Sequence, residues 1–223
     1  MNFDDLTTAH VADGCLRAGV AVRCAALTPV VAGSRVAGRV VPARHAGSVD
    51  VFLEALHGAS PGDVLVVDNG GRLDEACVGD LVVLEALDAG LAGVVIWGRH
   101  RDTADIRAIG LPVFSTGPLP TGPLRLDPRP PDALTLAQVG EWTVTPDDVV
   151  FGDDDGVIFV PAQRVDEVLA FAASIRDTER RQAARIRGGE SLRAQVRFDE
   201  FLAARPAVTF REHLRKVGGA IEE

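Results

Sequence analysis

The chain has 223 residues, 47% of them apolar, enough to bury the core of one domain or of one domain with an appendage. Its 23 basic and 32 acidic residues give a formal charge of −9 and a pI near 5.0. Nucleic acids and anionic membranes are bound through an excess of Lys and Arg, so neither is expected as a partner, and an anionic ligand would need a local site of Arg, backbone N–H groups or metal.

The first element is a short helix, with Thr7 or Thr8 at its N-cap and Gly19 as its stop. Val30 to Arg44 is β-branched and punctuated by Gly, which predicts strands with a bend. Val49–Ala59 has helical spacing, Ser60-Pro61-Gly62-Asp63 is a turn, and Val64–Asp68 is an uninterrupted apolar run typical of a doubly buried strand. After the loop Asn69-Gly70-Gly71, a helix is predicted from about Gly79 to Ala89, a buried strand over Gly93–Gly98 and a short strand over Pro112–Ser115. This alternation indicates βαβ units and a mainly parallel sheet.

Leu119–Pro131 is proline-rich and reads as a surface excursion. Val144–Val150 and Val157–Pro161 flank Gly152-Asp153-Asp154-Asp155-Gly156, the pattern of a β-hairpin. From Ala162 to about Arg187 runs a long helix whose apolar positions (Val165, Val168, Leu169, Phe171, Ala172, Ile175) stop halfway. Its polar second half must sit in solvent or reach a neighbouring subunit. Further helical stretches near Leu192–Ala203 and Thr209–Val217 complete a C-terminal appendage, so the expected division is a catalytic domain over 1–161 and a helical extension over 162–223.

Three cysteines (Cys15, Cys24, Cys77) form no CxxC pair and read as reduced core thiols in a cytoplasmic protein. The opening MNFDDLTTAH has neither a basic nor an apolar region, so no secretion signal is expected. The longest apolar stretch, around Ala89–Gly98, is too short to span a bilayer.

In a parallel βαβ unit, the loop entering the helix and the loop leaving the next strand share the carboxyl edge of the sheet, where such sheets bind ligands. Here those loops are Gly79-Asp80-Leu81-Val82 and Arg99-His100-Arg101-Asp102. A helix start offers free N–H groups and a positive dipole end to a carboxylate. Arg101 can grip an oxyanion with two N–H groups, and Asp102 can hold a hard cation. The same residues admit a structural reading, with Asp80 complementing the helix dipole and Arg101-Asp102 forming a surface pair.

The ordered set Gly79-Asp80-Leu81, Ala86, Gly90, Gly93-Val94-Val95-Ile96, Gly98, Arg101-Asp102, Ile106 and Leu111-Pro112-Val113-Phe114 resembles the core signature of the HMG/CHA aldolase (RraA-like) family. Pro61–Asp68 resembles its preceding strand, and Asp153-Asp154-Asp155-Gly156-Val157 with Val160-Pro161 its hairpin, so that the resemblance covers about residues 5–190. It implies an αββα sandwich-like α/β domain of the swivelling phosphohistidine type, assembled as a homotrimer or a dimer of trimers in the cytoplasm. It also implies a class II lyase that cleaves a small 2-oxo acid through a pyruvate enolate and decarboxylates oxaloacetate. Asp102 would hold Mg²⁺ or Mn²⁺ through a shell of waters, the amides of Gly79, Asp80, Leu81 and Val82 would bind the substrate carboxylate, and Arg101 would stabilise the enolate. Asp80 would activate a water for proton transfer, and Glu179, with Asp177 and Glu190 as alternatives, resembles a glutamate supplied by the adjacent subunit.

The match departs at His100 and Trp97, where the family more usually has smaller residues, so the distal half of the substrate is expected to differ from that of the familiar oxo diacids. His100 reads either as a substrate contact or as a surface imidazole, and Trp97 as core. His10, His45, His57 and His213 have no partner at metal-ligand spacing and read as structural. Asp153–Asp155 lacks the ligand ladder of a Ca²⁺ loop. Two rivals stand beside the enzyme. A non-enzymatic RraA-like regulator of a ribonuclease would lack the metal-holding Asp, and a methyltransferase would need a Gly-rich loop better formed than Asn69-Gly70-Gly71.

Overall fold

The structure is a computed structural model, described here over residues 3–218. Its described residues divide into two compact units, one of residues 3–8 and 22–165 and the other of residues 9–21 and 166–218.

The chain begins with α1 (Thr8–Ala18), β1 (Arg23–Ala25), β2 (Thr28–Pro29), β3 (Val36–Arg44), α2 (Asp50–Gly58), β4 (Val64–Asp68) and β5 (Ala76–Val78). It continues with α3 (Asp80–Asp88), β6 (Gly93–Trp97), β7 (Arg99–His100), α4 (Thr103–Ile109) and β8 (Val113–Ser115). After an irregular stretch come β9 (Ala137–Val139), β10 (Trp142–Val144), β11 (Asp148–Asp153) and β12 (Gly156–Pro161). The helices α5 (Val165–Arg187), α6 (Leu192–Gln195), α7 (Phe198–Ala204) and α8 (Phe210–Val217) follow.

The fold is mixed α/β with C-terminal helices, and its main sheet has the order β1-β12-β11-β3-β4-β6-β8-β2. The expectation of a mainly parallel sheet is corrected. Only β3, β4, β6 and β8 pair in parallel, while β1, β12, β11 and β2 join by antiparallel ladders. The βαβ alternation holds for the central strands alone; the hairpin β11–β12 and the short strands β1 and β2 join the same sheet through distant pairings that no local pattern shows. β1 and β2 close opposite edges of this sheet, yet only two residues separate them. At about 3.5 Å per residue they cannot lie far apart, so the sheet must curl until its edges meet.

The period-2 alternation of each strand then divides the core into two faces. Val64 and Val66 of β4 turn to the inside of the curl, with Val95, Phe114, Val150 and Phe159. Leu65 and Val67 face the helices, packed with Phe52 and Leu56 of α2, Val83 and Ala86 of α3 and Ile106 of α4.

The acidic run Asp153–Asp155 is the expected hairpin turn, with Asp153 paired to Gly156. Its carboxylates are engaged: Asp153 accepts from the Thr8 amide and hydroxyl at 2.8 and 2.7 Å, and Asp154 from the Gly33 amide at 2.8 Å. The strand expected over Val144–Val150 is broken, β10 ending at Val144 and β11 starting at Asp148.

In the second unit the apolar half of α5 is buried at Val168, Ala172 and Ile175, and its later half is exposed as expected. The single stretch expected near Leu192–Ala203 is two helices, α6 and α7, broken at Arg197, whose φ of 47° cannot continue a helix. Phe198, Phe201, Phe210 and His213 pack as one aromatic cluster, and the buried His213 ring lies 2.6 Å from Val196 O. Cys15 is buried but Cys24 is exposed, which corrects its reading as a core thiol; Cys77 is half-buried and burial pushes its thiol pKa up. No helix among the described residues is long and apolar enough to cross a membrane.

Candidate functional site

Two short strands, β5 of three residues and β7 of two, build the site. β5 and β7 stand outside the main sheet and pair with each other in parallel, Ala76 against Arg99 and Val78 against His100. The Arg101 amide extends this ladder by donating to Val78 O at 3.0 Å. The residues that follow the two strands, Gly79 and Arg101-Asp102, are therefore brought side by side.

Gly79 is the N-cap of α3 and has no side chain with which to cap it. The first-turn N–H groups of Asp80, Leu81 and Val82 are thus left to an external acceptor, at the positive end of the helix dipole. A Cβ on Gly79 would collide with the Asp102 carboxylate and stand 3.2 Å from Arg101 Nε, so any side chain here would push both groups from their places. Asp80 is half-buried in the first turn, Val82 is buried and the Leu81 side chain is exposed. A contact from Leu81 to a ligand would therefore come from its amide.

Asp102 precedes α4 in a left-handed conformation, with φ of 58° and ψ of 41°, and its side chain does not cap the helix. A non-glycine residue held there without a local hydrogen bond in return stores strain, a condition concentrated at functional sites. The carboxylate lies 3.3 Å from Arg101 Nε, and both side chains are open, 35% and 49% exposed. Among the described residues no three His, Cys, Asp or Glu side chains gather into a metal cage. A hard cation that keeps most of its waters needs no cage, and one exposed, locally unspent carboxylate suits it.

His100 is not the surface imidazole considered from sequence. It is 3% exposed, with Nδ1 2.7 Å from Ser115 Oγ and Nε2 3.1 Å from Thr103 Oγ1. Burial, reinforced by Arg107 and Arg99, lowers its pKa, so the neutral ring is favoured. Its hydroxyl partners lie on β8 and on the first turn of α4, so the ring ties the Arg101-Asp102 turn to the sheet. Trp97 is half-buried against the inner core, its indole beneath Gly71. Glu179 belongs to the second unit, exposed on α5, with Oε2 3.0 Å from His10 Nε2.

Sequence reasoning missed a buried polar cluster in the first unit. His45 Nδ1 lies 2.9 Å from Asn69 Oδ1, and its ring stacks on Phe52 at 5.3 Å. Arg125 donates to Glu75 at 3.1 and 2.9 Å and to Asn69 Oδ1 at 3.1 Å. Burial lowers the pKa of His45, the hydrogen bond to Asn69 Oδ1 opposing it, and the Glu75 hydrogen bond raises that of Arg125. Each residue is isolated in sequence, so no spacing signals the cluster.

A helix end open to a carboxylate, facing a spare Asp and an Arg fork on a curled α/β sheet, defines the class to which the comparisons then give a family. The Aldolase/RraA family profile (RraA-like) matches residues 8–159, and the chain belongs to that family. A Halalkalibacterium halodurans protein named "Putative 4-hydroxy-4-methyl-2-oxoglutarate aldolase" is 32% identical over 133 residues, 59% of this chain and 62% of that protein. The matched stretch spans less than two thirds of each of three curated relatives, 21%, 62% and 58% of their lengths. Among solved structures, an uncharacterized protein from Pseudomonas syringae pv. tomato superposes with a TM-score of 0.74 at 26% identity, covering 85% of this chain and 92% of that one. Streptomyces coelicolor RraAS2, described as an unusual member of the RNase ES inhibitor RraA protein family, gives 0.67 at 28% identity over 81% and 91%.

Proposed function

We propose that the chain is a divalent-metal-dependent lyase that cleaves a C–C bond in a small 2-oxo acid through a pyruvate enolate. The reaction type is that of 4-hydroxy-4-methyl-2-oxoglutarate and 4-carboxy-4-hydroxy-2-oxoadipate aldolases, with oxaloacetate decarboxylation as a second outcome of the same enolate. The observation that carries this reading is the strained, non-capping Asp102 set against Gly79 and Arg101.

The amides of Asp80, Leu81 and Val82, with the dipole of α3, bind the substrate carboxylate, and Gly79 leaves room for its approach. Arg101 lays its fork on the 2-oxo oxygen and stabilises the negative charge that develops there as the bond breaks. Asp80, through a water, accepts the proton of the 4-hydroxyl as the C–C bond breaks and returns it to the enolate carbon, which becomes the methyl of pyruvate. Asp102 would hold Mg²⁺ or Mn²⁺, which supplies Lewis-acid polarisation of the oxo group. His100 fixes the turn that carries Arg101 and Asp102 through its two hydroxyl partners.

The exposed second half of α5 suits contact with a second copy of the chain. In a homotrimer or a dimer of trimers Glu179 would reach a neighbouring site, with the C-terminal helices supplying subunit contacts. The test is pyruvate release from oxaloacetate and from 4-hydroxy-4-methyl-2-oxoglutarate, with Mg²⁺ or Mn²⁺ and again with EDTA. Metal-dependent release from either supports the lyase. No release by folded, metal-supplied protein overturns it in favour of a ribonuclease regulator, the kind of role named for the family of RraAS2.

A further inference from the structure

The stretch between β8 and β9 contains no helix or strand, yet three clamps hold it beside the site. The Leu119 amide donates to His100 O at 2.8 Å, and the Ala76 amide donates to Thr121 O at 2.9 Å. Arg125 then reaches the buried Glu75, which is 4% exposed and directly precedes β5. The first two clamps fall on β7 and β5, the strands that place Arg101 and Gly79.

Gly122 lies between the second and third clamps. A Cβ built there would stand 3.0 Å from Arg101 Nη1 and 3.8 Å from its Cζ, and would meet nothing else within 4 Å. Gly79 also approaches Arg101, at Nε, with which Asp102 pairs at 3.3 Å. Two glycines therefore stand close to the guanidinium, one on a helix start at Nε and one on a clamped strap at Nη1.

We propose that Gly122 is a positioning residue: the strap is a backstop for the Arg101 guanidinium, and the missing side chain at 122 lets the fork retract far enough to face a substrate oxygen. This rests on the reading of Arg101 as an oxyanion clamp. Gly122 has no positive φ to satisfy and its only crowded neighbour is the end of a flexible side chain, so Gly122→Ala should fold normally and move Arg101 alone. An Arg shifted by a fraction of an ångström loses alignment with the reacting group, which is worth about tenfold in rate.

The test is Gly122→Ala, read in two ways. Peptide-resolved mass spectrometry of phenylglyoxal labelling should show Arg101 modified about threefold faster than in the wild type as it is pushed outward, with Arg205 unchanged as an internal control. In the pyruvate-release assay kcat should fall by about tenfold with KM little changed, and the same substitution in an Arg101→Ala background should cost nothing further. An unchanged labelling rate at Arg101 overturns the proposal whether or not the chain turns over a 2-oxo acid. An equal loss in both backgrounds overturns it too, because the effect would then not pass through Arg101. Absence of wild-type turnover would count against the lyase reading alone, and the labelling ratio would still decide the role of Gly122.

Discussion

Replacing Asp102 by glycine separates a residue kept for chemistry from one kept for the fold. Its left-handed backbone costs a side-chain-bearing residue about 1–2 kcal/mol, with Asp near the tolerant end. Glycine relieves this but adds about 0.5–1 kcal/mol of unfolded-chain entropy. The Arg101 partner is half exposed at 3.3 Å, and such pairs contribute about 0–1 kcal/mol. There is no cap to lose, because the carboxylate makes no cap hydrogen bond. The opposing contributions nearly cancel, so Asp102→Gly should keep stability within about 1 kcal/mol, a Tm shift of about 2–4 °C at most. Metal-dependent pyruvate release should be abolished. Urea unfolding and the pyruvate assay, run on one preparation, check both halves. A stability loss above about 2 kcal/mol would make Asp102 a structural residue, and retained turnover would remove it from the site.

Arg101→Lys should lower kcat/KM by about a hundredfold, because a point charge does not reproduce the fork; steady-state kinetics at saturating Mg²⁺ near the wild-type rate would refute this. Glu75→Ala removes the buried carboxylate that pairs with Arg125 and should cost about 3 kcal/mol by urea unfolding, against less than about 1 kcal/mol for the exposed Asp74→Ala. His45 and His100 have pKa values pushed by burial below the ordinary 6.5. The unfolded chain then binds protons first as the pH drops, so their stabilising share is complete above about pH 6.5 and is lost as pH falls through their folded values. The urea midpoint should decline from pH 7 to pH 5, and His45→Gln should flatten that slope; an unaltered slope would contradict the assignment.

The parallel centre of the sheet was legible because β4 and β6 are buried on both faces and must read as unbroken apolar runs. The antiparallel flank was legible only as a hairpin, since nothing local tells that β11 also pairs with β3 in the same sheet. Strands β5, β7, β9 and β10, of two or three residues, are shorter than any periodicity can register, although the first two are what join Gly79 to Arg101. Gly79, Asp80, Arg101 and Asp102 stood out because loops at a carboxyl edge converge for topological reasons. The left-handed turn at Asp102, the burial of His100 and the approach of Gly122 depend on contacts between distant segments, and no local pattern carries them. α1 carries no signal that it clusters with α5 and the later helices, since a short helix must pack somewhere and its sequence does not say where.

The placement of β1 and β2 at opposite borders of one curled sheet bears on how the chain is made. Residues 23–29 leave the ribosome early, but their ladder partners, 113–115 and 156–161, are synthesised much later. Until then these residues have nothing to pair with, and the strands they will cover present bare backbone donors and acceptors, open to pairing with another nascent chain. A seven-residue stretch thus decides whether the sheet ends as a closed surface or as two adhesive borders.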